Sequence, residues 1–422
     1  MTVKFYTLGC KVNQYETEAM KEAFSLYGIK TTENGADIIV INSCSVTTES
    51  DRKTRQLVNR AKRENDTAVV VLTGCMVQAF PEAAKNTKAD IVIGNSDVLA
   101  VVEKAVKYAK SKSDDFYFSP HFTGEKYNTP GIASFDERTR AFMKIEDGCD
   151  RFCTYCIIPY ARGRVRSRAL SDIKAEAEKL AKNGYKEIVL VGINLSAYGK
   201  GENFDLCDAV DSVCSVSGIK RVRLGSIEPD HITDDMLKRF SHQEKFCPQF
   251  HLSLQSGSDN TLKTMNRHYD TAFYLDLVNR IRKVFECSAI TTDIMVGFSG
   301  ETEEDFLDSM SFVNKVGFAR VHVFPYSVRP GTKAESFSLQ VPAEIKKDRA
   351  KRMQEAAKTS EKEFLSRMVG KTFSVLFEKN NEGYTENYSK VIVENEDIKE
   401  GEIKKVKIVK SLDTYLLGTI EK

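Results

Sequence analysis

The sequence has no apolar run approaching the roughly 20 residues that span a bilayer, which excludes an ordinary transmembrane helix. Its start, MTVKFYTLGC, lacks the charged-then-apolar layout of a secretory signal. An excess of one charge is missing too: 62 Lys and Arg face 60 Asp and Glu, a net of +2. Bulk charge therefore announces no nucleic-acid partner, and any such partner must be held by local basic clusters. P-loop, HExxH and G-x-G-x-x-G fingerprints are absent. Histidines number six and are scattered; His251 and His322 fall in strand patterns and read as core or pocket groups rather than ligands. What is present is an ordinary globular composition, 41% apolar and 29% charged over 422 residues. That length suits about two to four domains. Ten cysteines in such a chain suit a reducing cytoplasm, where clustered thiols more often hold metal than pair as disulfides.

The first hundred residues alternate apolar runs (Val3–Thr7, Asp37–Ile41, Ala68–Leu72, Asp90–Ile93) with helical patterns near 14–27, 50–63 and 98–107. Continuous apolar strands between amphipathic helices predict a parallel α/β sheet covered on both faces. This gives an N-terminal domain over 1–112 and a polar, broken linker over 113–134. A second alternation over 135–365 has six candidate strands, at Ala141–Ile145, Glu187–Val191, Arg221–Leu224, Gln249–Leu254, Ala289–Val296 and Arg320–Phe324. Six βα units predict a partial or complete parallel barrel, with loops gathered at the C-terminal strand ends. After a charged helix over 342–368, short alternating strands predict a small all-β barrel over 366–422.

The strongest local signal is Cys149-x3-Cys153-x2-Cys156, directly after the first strand of the second alternation. Three thiolates within eight residues fit a soft metal or an iron–sulfur cluster. A structural zinc needs four ligands, and no local fourth Cys or His is present; zinc with a distant fourth ligand and three unrelated core cysteines are the alternatives. A cubane held by three thiolates leaves one iron open for chemistry. Cys10, Cys44 and Cys75 each follow a candidate strand, separated by 34 and 31 residues, close to the roughly 30-residue length of a βα repeat. Parallel strands place their C-terminal ends on one edge, so these three loops are expected to bring a second trio of thiolates together; small buried hydrophobes at strand ends are the alternative. Cys207, Cys214, Cys247 and Cys287 show no such arrangement and read as packing residues. Arg162, Arg164, Arg166 and Arg168 alternate just beyond the cysteine loop. If extended, they would share one face able to grip RNA phosphates, or else form a charged edge strand.

Cys149-x3-Cys153-x2-Cys156 after the first barrel strand resembles the signature of the radical S-adenosylmethionine enzymes. Combined with Cys10, Cys44 and Cys75, it resembles the methylthiotransferases over nearly the whole chain. GRVRSR, RLGSIEPD, HLSLQSGSDNTLKTMNR and TTDIMVGFSGETEEDF add to the match, and the terminal β-barrel is similar to the TRAM domain that these enzymes use to hold RNA. TLGCKVNQYETE resembles the branch that modifies threonylcarbamoyladenosine at tRNA position 37; the isopentenyladenosine branch reads closer to GCQMN and the ribosomal-protein branch closer to GCPKN.

The resemblance implies a [4Fe–4S] cluster on Cys149, Cys153 and Cys156 whose open iron chelates S-adenosylmethionine, giving a 5′-deoxyadenosyl radical that takes hydrogen from C2 of the adenine. It implies an auxiliary [4Fe–4S] cluster on Cys10, Cys44 and Cys75 that carries the sulfur, methylated by a second S-adenosylmethionine. Asn194, Ser226, Glu228 and Gln255, polar groups at C-terminal strand ends, are the expected lining of the S-adenosylmethionine pocket. The expected partners are the tRNA anticodon stem-loop, a reduced flavodoxin- or ferredoxin-type electron donor and a sulfur source, in the cytoplasm. The rivals are the same chemistry on isopentenyladenosine tRNA or a ribosomal protein aspartate, and a non-catalytic RNA-binding scaffold with structural zinc.

Overall fold

The structure is a computed structural model that describes residues 1–112, 115–135, 139–394 and 396–421. Ile38–Ser43 and Val69–Gly74 are buried along their whole length, as strands with helices on both faces must be. They are the centre of a six-stranded, all-parallel sheet. Its order is Lys30–Thr31, Thr2–Thr7, Ile38–Ser43, Val69–Gly74, Ile91–Ile93 and Phe116–Tyr117. The two outermost pieces have only two residues each, too short to leave a periodic trace in the sequence. Because Phe116 pairs with Val92, the segment expected as a linker begins as a sheet edge. Residues 113–114 at the expected linker start, and residue 422 at the expected end of the last domain, lie outside the described residues. The rest of that segment packs on the domain junction, where the Tyr127 hydroxyl donates to Lys144 O at 2.7 Å and the Tyr15 hydroxyl to Pro130 O at 3.0 Å.

The second alternation forms an open parallel barrel from two sheets. Arg221–Leu224, Glu187–Val191 and Arg140–Lys144 make the first, in that order; Ser226–Ile227, Gln249–Leu252, Ala289–Val296 and Arg320–Pro325 make the second. Gly225 lies between the two sheets: the third strand of the sequence reading, Arg221–Leu224, belongs to the first, and the short strand Ser226–Ile227 that opens the second has no counterpart in that reading. Among the described residues no pairing joins Arg140–Lys144 to Arg320–Pro325, so the barrel is partial. His251, Thr291, Asp293 and His322 line a recess inside it.

A 24-residue helix, Ala343–Ser366, lies across the last strand and the helix Glu303–Val316 and leads into a closed five-stranded barrel. One of its strands, Glu382–Thr385, has no counterpart in the sequence reading. Gly383 weakens its β signal, and a Cβ there would lie 2.5 Å from Val375 Cγ1 and 2.7 Å from Leu376 O. Arg221 ties this barrel to the central one, donating to Ser374 O at 2.5 Å and Tyr384 O at 2.9 Å. Among the described residues no helix is long and apolar enough to cross a membrane.

Candidate functional site

The register of the first sheet explains where its cysteines lie. Thr7 pairs with Asn42, and Ser43 pairs with Gly74, so Cys44 and Cys75 leave neighbouring strands side by side, about 5 Å apart by sheet geometry. Gly9, at φ +102°, turns the first strand toward them: a Cβ there would meet Cys44 Cβ at 2.8 Å. Cys10 caps the helix Lys11–Leu26 and Cys75 opens the helix Cys75–Ala79. Gly74 admits no side chain, since a Cβ would lie 2.5 Å from Ser43 N. The three thiols act on one another. Burial raises Cys44 and pushes Cys75 up to about 12, and the neighbouring thiols add to both shifts. Three soft donors on one sheet edge fit a cationic metal centre that would take them as thiolates.

The second trio is built by a tight loop. Gly148, at φ +89°, passes so close to the chain that a Cβ would lie 1.9 Å from Arg164 O. The next residue, Cys149, donates its N–H to Gly163 O at 3.0 Å, Cys156 N donates to Cys153 O at 3.0 Å, and Thr154 N to Met265 O at 3.1 Å. Cys153 is buried and the other two are half-buried. Burial pushes Cys149 up to about 12 and raises Cys156 further, again with help from the adjacent thiols. Arg267 donates to Cys153 Sγ at 3.3 Å. This donor set has no local fourth protein ligand, which suits a centre with one open position.

Of the expected pocket residues, Glu228 reaches this loop: it is ion-paired with Arg267 and lies 3.8 Å from Arg151. Asn194, at the end of the second strand, is buried. Its backbone N–H is held by Glu146 Oε2 at 2.7 Å and its side-chain Oδ1 has no partner. Gln255 sits at φ +73° beside Ile294, with its N–H on Asp293 O at 2.9 Å. Ser226 is exposed and lines a recess inside the barrel.

The arginine run departs from expectation. Arg162, Arg166 and Arg168 are buried, and only Arg164 is well exposed; there is no shared basic face for phosphates. The reason is a helix, Ile158–Arg162, and the turn at Gly163, which break the alternation. Each buried guanidinium then meets carboxylates from elsewhere. Arg162 pairs with Glu16 and lies 3.6 Å from Asp147; Arg166 is 3.3 Å from Asp147; Arg168 pairs with Glu176. Lys144, 1% exposed, bridges Glu16 and Asp147 at 2.7 Å each. Burial opposes ionisation of both carboxylates, and these cations outweigh it, so each is held below the usual carboxylate range.

Arg162 has a second duty that the sequence reading missed. Its Nε lies 3.3 Å from Cys75 Sγ, and its Nη2 is 3.0 Å from Asn13 Oδ1. Asn13 in turn donates to Ser43 O at 2.9 Å and accepts from Cys10 Sγ at 3.5 Å. A residue thirteen positions past Cys149 thereby touches the loops of the other trio. Also unforeseen, His251, Asp293 and His322 bring one ligand atom each within 4.8 Å of one another.

Comparison with known proteins agrees with this architecture. Residues 2–94 match an uncharacterized protein family, UPF0004; residues 143–313 match the radical SAM superfamily; residues 366–420 match the TRAM domain. The threonylcarbamoyladenosine tRNA methylthiotransferase MtaB of Bacillus subtilis is 38% identical over 99% of this chain and 96% of its own. A tRNA-2-methylthio-N(6)-dimethylallyladenosine synthase of Clostridium perfringens is 36% identical over 98% of this chain and 96% of its own. Among solved structures, the radical S-adenosylmethionine methyltransferase TsrM of Kitasatospora setae superposes with a TM-score of 0.58 at 12% identity, covering 79% of this chain and 73% of that one; the likeness is one of fold. The full-length matches settle the relationship: the chain belongs to the radical S-adenosylmethionine methylthiotransferase family, in the branch of the threonylcarbamoyladenosine tRNA methylthiotransferases MtaB.

Proposed function

We propose that the protein adds a methylthio group to C2 of N6-threonylcarbamoyladenosine at position 37 of tRNA. The observation that carries this reading is the pair of three-cysteine loops on facing domains, bridged by Arg162, in a chain that matches MtaB proteins end to end. Cys149, Cys153 and Cys156 would hold the [4Fe–4S] cluster that binds S-adenosylmethionine, and Cys10, Cys44 and Cys75 the auxiliary one. When bound, these groups supply a reducing electron, a radical able to attack an aromatic C–H bond, and the sulfur that replaces the hydrogen.

The chain's own part is positioning and electrostatics. Arg267, at the Cys153 sulfur, offsets thiolate charge and pins Glu228 at the loop. Arg162 does the same for Cys75 while locking the two domains together. The unpartnered Asn194 oxygen offers an acceptor for a donor group of S-adenosylmethionine. The TRAM barrel, tied down by Arg221, would hold the anticodon stem-loop. A reduced flavodoxin or ferredoxin and a sulfur source complete the reaction, in the cytoplasm that ten free thiols suit.

Iron and sulfide analysis tests the cysteines. The anaerobic wild type should be brown with about eight iron atoms per chain, and Cys149→Ala and Cys10→Ala should each lose half. A colourless protein with one or two zinc ions would refute the reading in favour of a scaffold. Mass spectrometry of tRNA from a deletion strain tests the substrate. The methylthio group should vanish from threonylcarbamoyladenosine alone; its loss from isopentenyladenosine instead would assign the other branch.

A further inference from the structure

The barrel interior opens into a recess of about 540 Å³ bounded by the inner strands, by Lys11, by Glu361 and Leu365 of the long helix and by Tyr384 and residues 387–390 of the TRAM barrel, a size in the range of small-molecule sites. Lys11, which follows Cys10 in the chain, and Ser226, two residues before Glu228, both line this recess. Its charges are unevenly matched. Arg223 is spent on Glu187 at 3.0 Å and Lys390 on Glu382 at 2.8 Å. Among the described residues, Lys11 and Arg320 have no ion-pair or hydrogen-bond partner, Lys11 touching only the Phe142 ring at 5.6 Å. Both cations line the recess together with His322. Two carboxylates line it against four cations: Asp293 is engaged by His251 at 3.3 Å, and Glu361, on the long helix, feels Arg320 without forming an ion pair or hydrogen bond with it. Burial of Asp293 is outweighed by that hydrogen bond and by both imidazoles, which keep it ionised.

We propose that this recess recognises a free carboxylate on the N6 substituent of the substrate base, with Lys11 and Arg320 supplying the charge and His322 a ring N–H donor. The inference rests on the function proposed above and deepens it: a threonylcarbamoyl group ends in a carboxylate, whereas a dimethylallyl group is uncharged hydrocarbon. An uncharged substituent would leave two cations facing an apolar group in a walled recess, which disfavours it. His251, Asp293 and His322 also have the donor set of a divalent cation, but the unmatched charge facing them is positive and repels one.

The test is binding and turnover by the holoenzyme of three anticodon stem-loops. One carries threonylcarbamoyladenosine, one its threonyl methyl ester, and one isopentenyladenosine. The wild type should bind the free acid at least about ten-fold more tightly than the ester, the usual scale for one charged hydrogen bond. Lys11→Met and Arg320→Gln should each cut that preference several-fold, and Lys11→Arg should retain it. Equal binding of acid and ester, with both methylthiolated, would overturn carboxylate recognition and leave the activity standing. Methylthiolation of none of the three would overturn the functional reading itself. One zinc or manganese per chain, lost in His322→Ala, with the acid preference unchanged in Lys11→Met, would make the recess a metal site and overturn the proposal.

Discussion

Replacing Arg162 with Met tests the bridge between the two cysteine loops. The guanidinium is 1% exposed and contacts Glu16, Asn13, Asp147 and Cys75. Removing it leaves two buried carboxylates sharing Lys144, with Arg166 helping only Asp147. Breaking a buried ion pair from one side costs about 3–5 kcal/mol, against roughly 0–1 kcal/mol for a surface pair. The assay is urea unfolding of the anaerobic protein across pH. Glu16 and Asp147 are depressed in the fold, so their contribution is complete above the unfolded carboxylate value near 4 and is lost as pH falls through the folded values. The deficit of Arg162→Met should therefore be full near neutral pH and narrow below about pH 4. Glu16→Gln combined with Arg162→Met should cost less than the sum of the two. A neutral-pH deficit under about 1 kcal/mol, or one unchanged on acidification, would refute the buried network.

Gly148→Ala forces a Cβ to 1.9 Å from Arg164 O, so the loop must shift by more than an ångström. The variant should load several-fold less iron than wild type by elemental analysis, while Gly184→Ala, whose Cβ meets nothing within 4 Å, should load normally. Arg221→Met removes donors from Ser374 O and Tyr384 O; limited proteolysis should then release the C-terminal barrel faster than in wild type. Asn194→Ala deletes the unpartnered oxygen and should weaken S-adenosylmethionine by roughly ten-fold in equilibrium dialysis. Unchanged affinity would remove Asn194 from the pocket.

Some of this was legible because it is local and periodic. Cys10, Cys44 and Cys75 could be placed on one edge because a βα repeat sets both their spacing and the side of the sheet on which each loop emerges. The Cys149 loop was legible because its three thiols lie within eight residues. The arginines were not: alternation of Arg162, Arg164, Arg166 and Arg168 looks like one face until the helix Ile158–Arg162 and Gly163 interrupt it. Their carboxylate partners Glu16 and Glu176 come from other elements, which no local pattern reveals.

The sequence by itself determined the three-part architecture and the six cysteines, since hydrophobic period and strand-end position are properties of short stretches of chain. Only the tertiary structure decided which charges are buried and which are left unmatched. Arg162 became a bridge by meeting Glu16 and Asn13, and Lys11 and Arg320 came to line one recess, because the fold brings together residues far apart in the chain. Electrostatic energy depends on distance and burial in the folded molecule, and neither is written in the order of the residues.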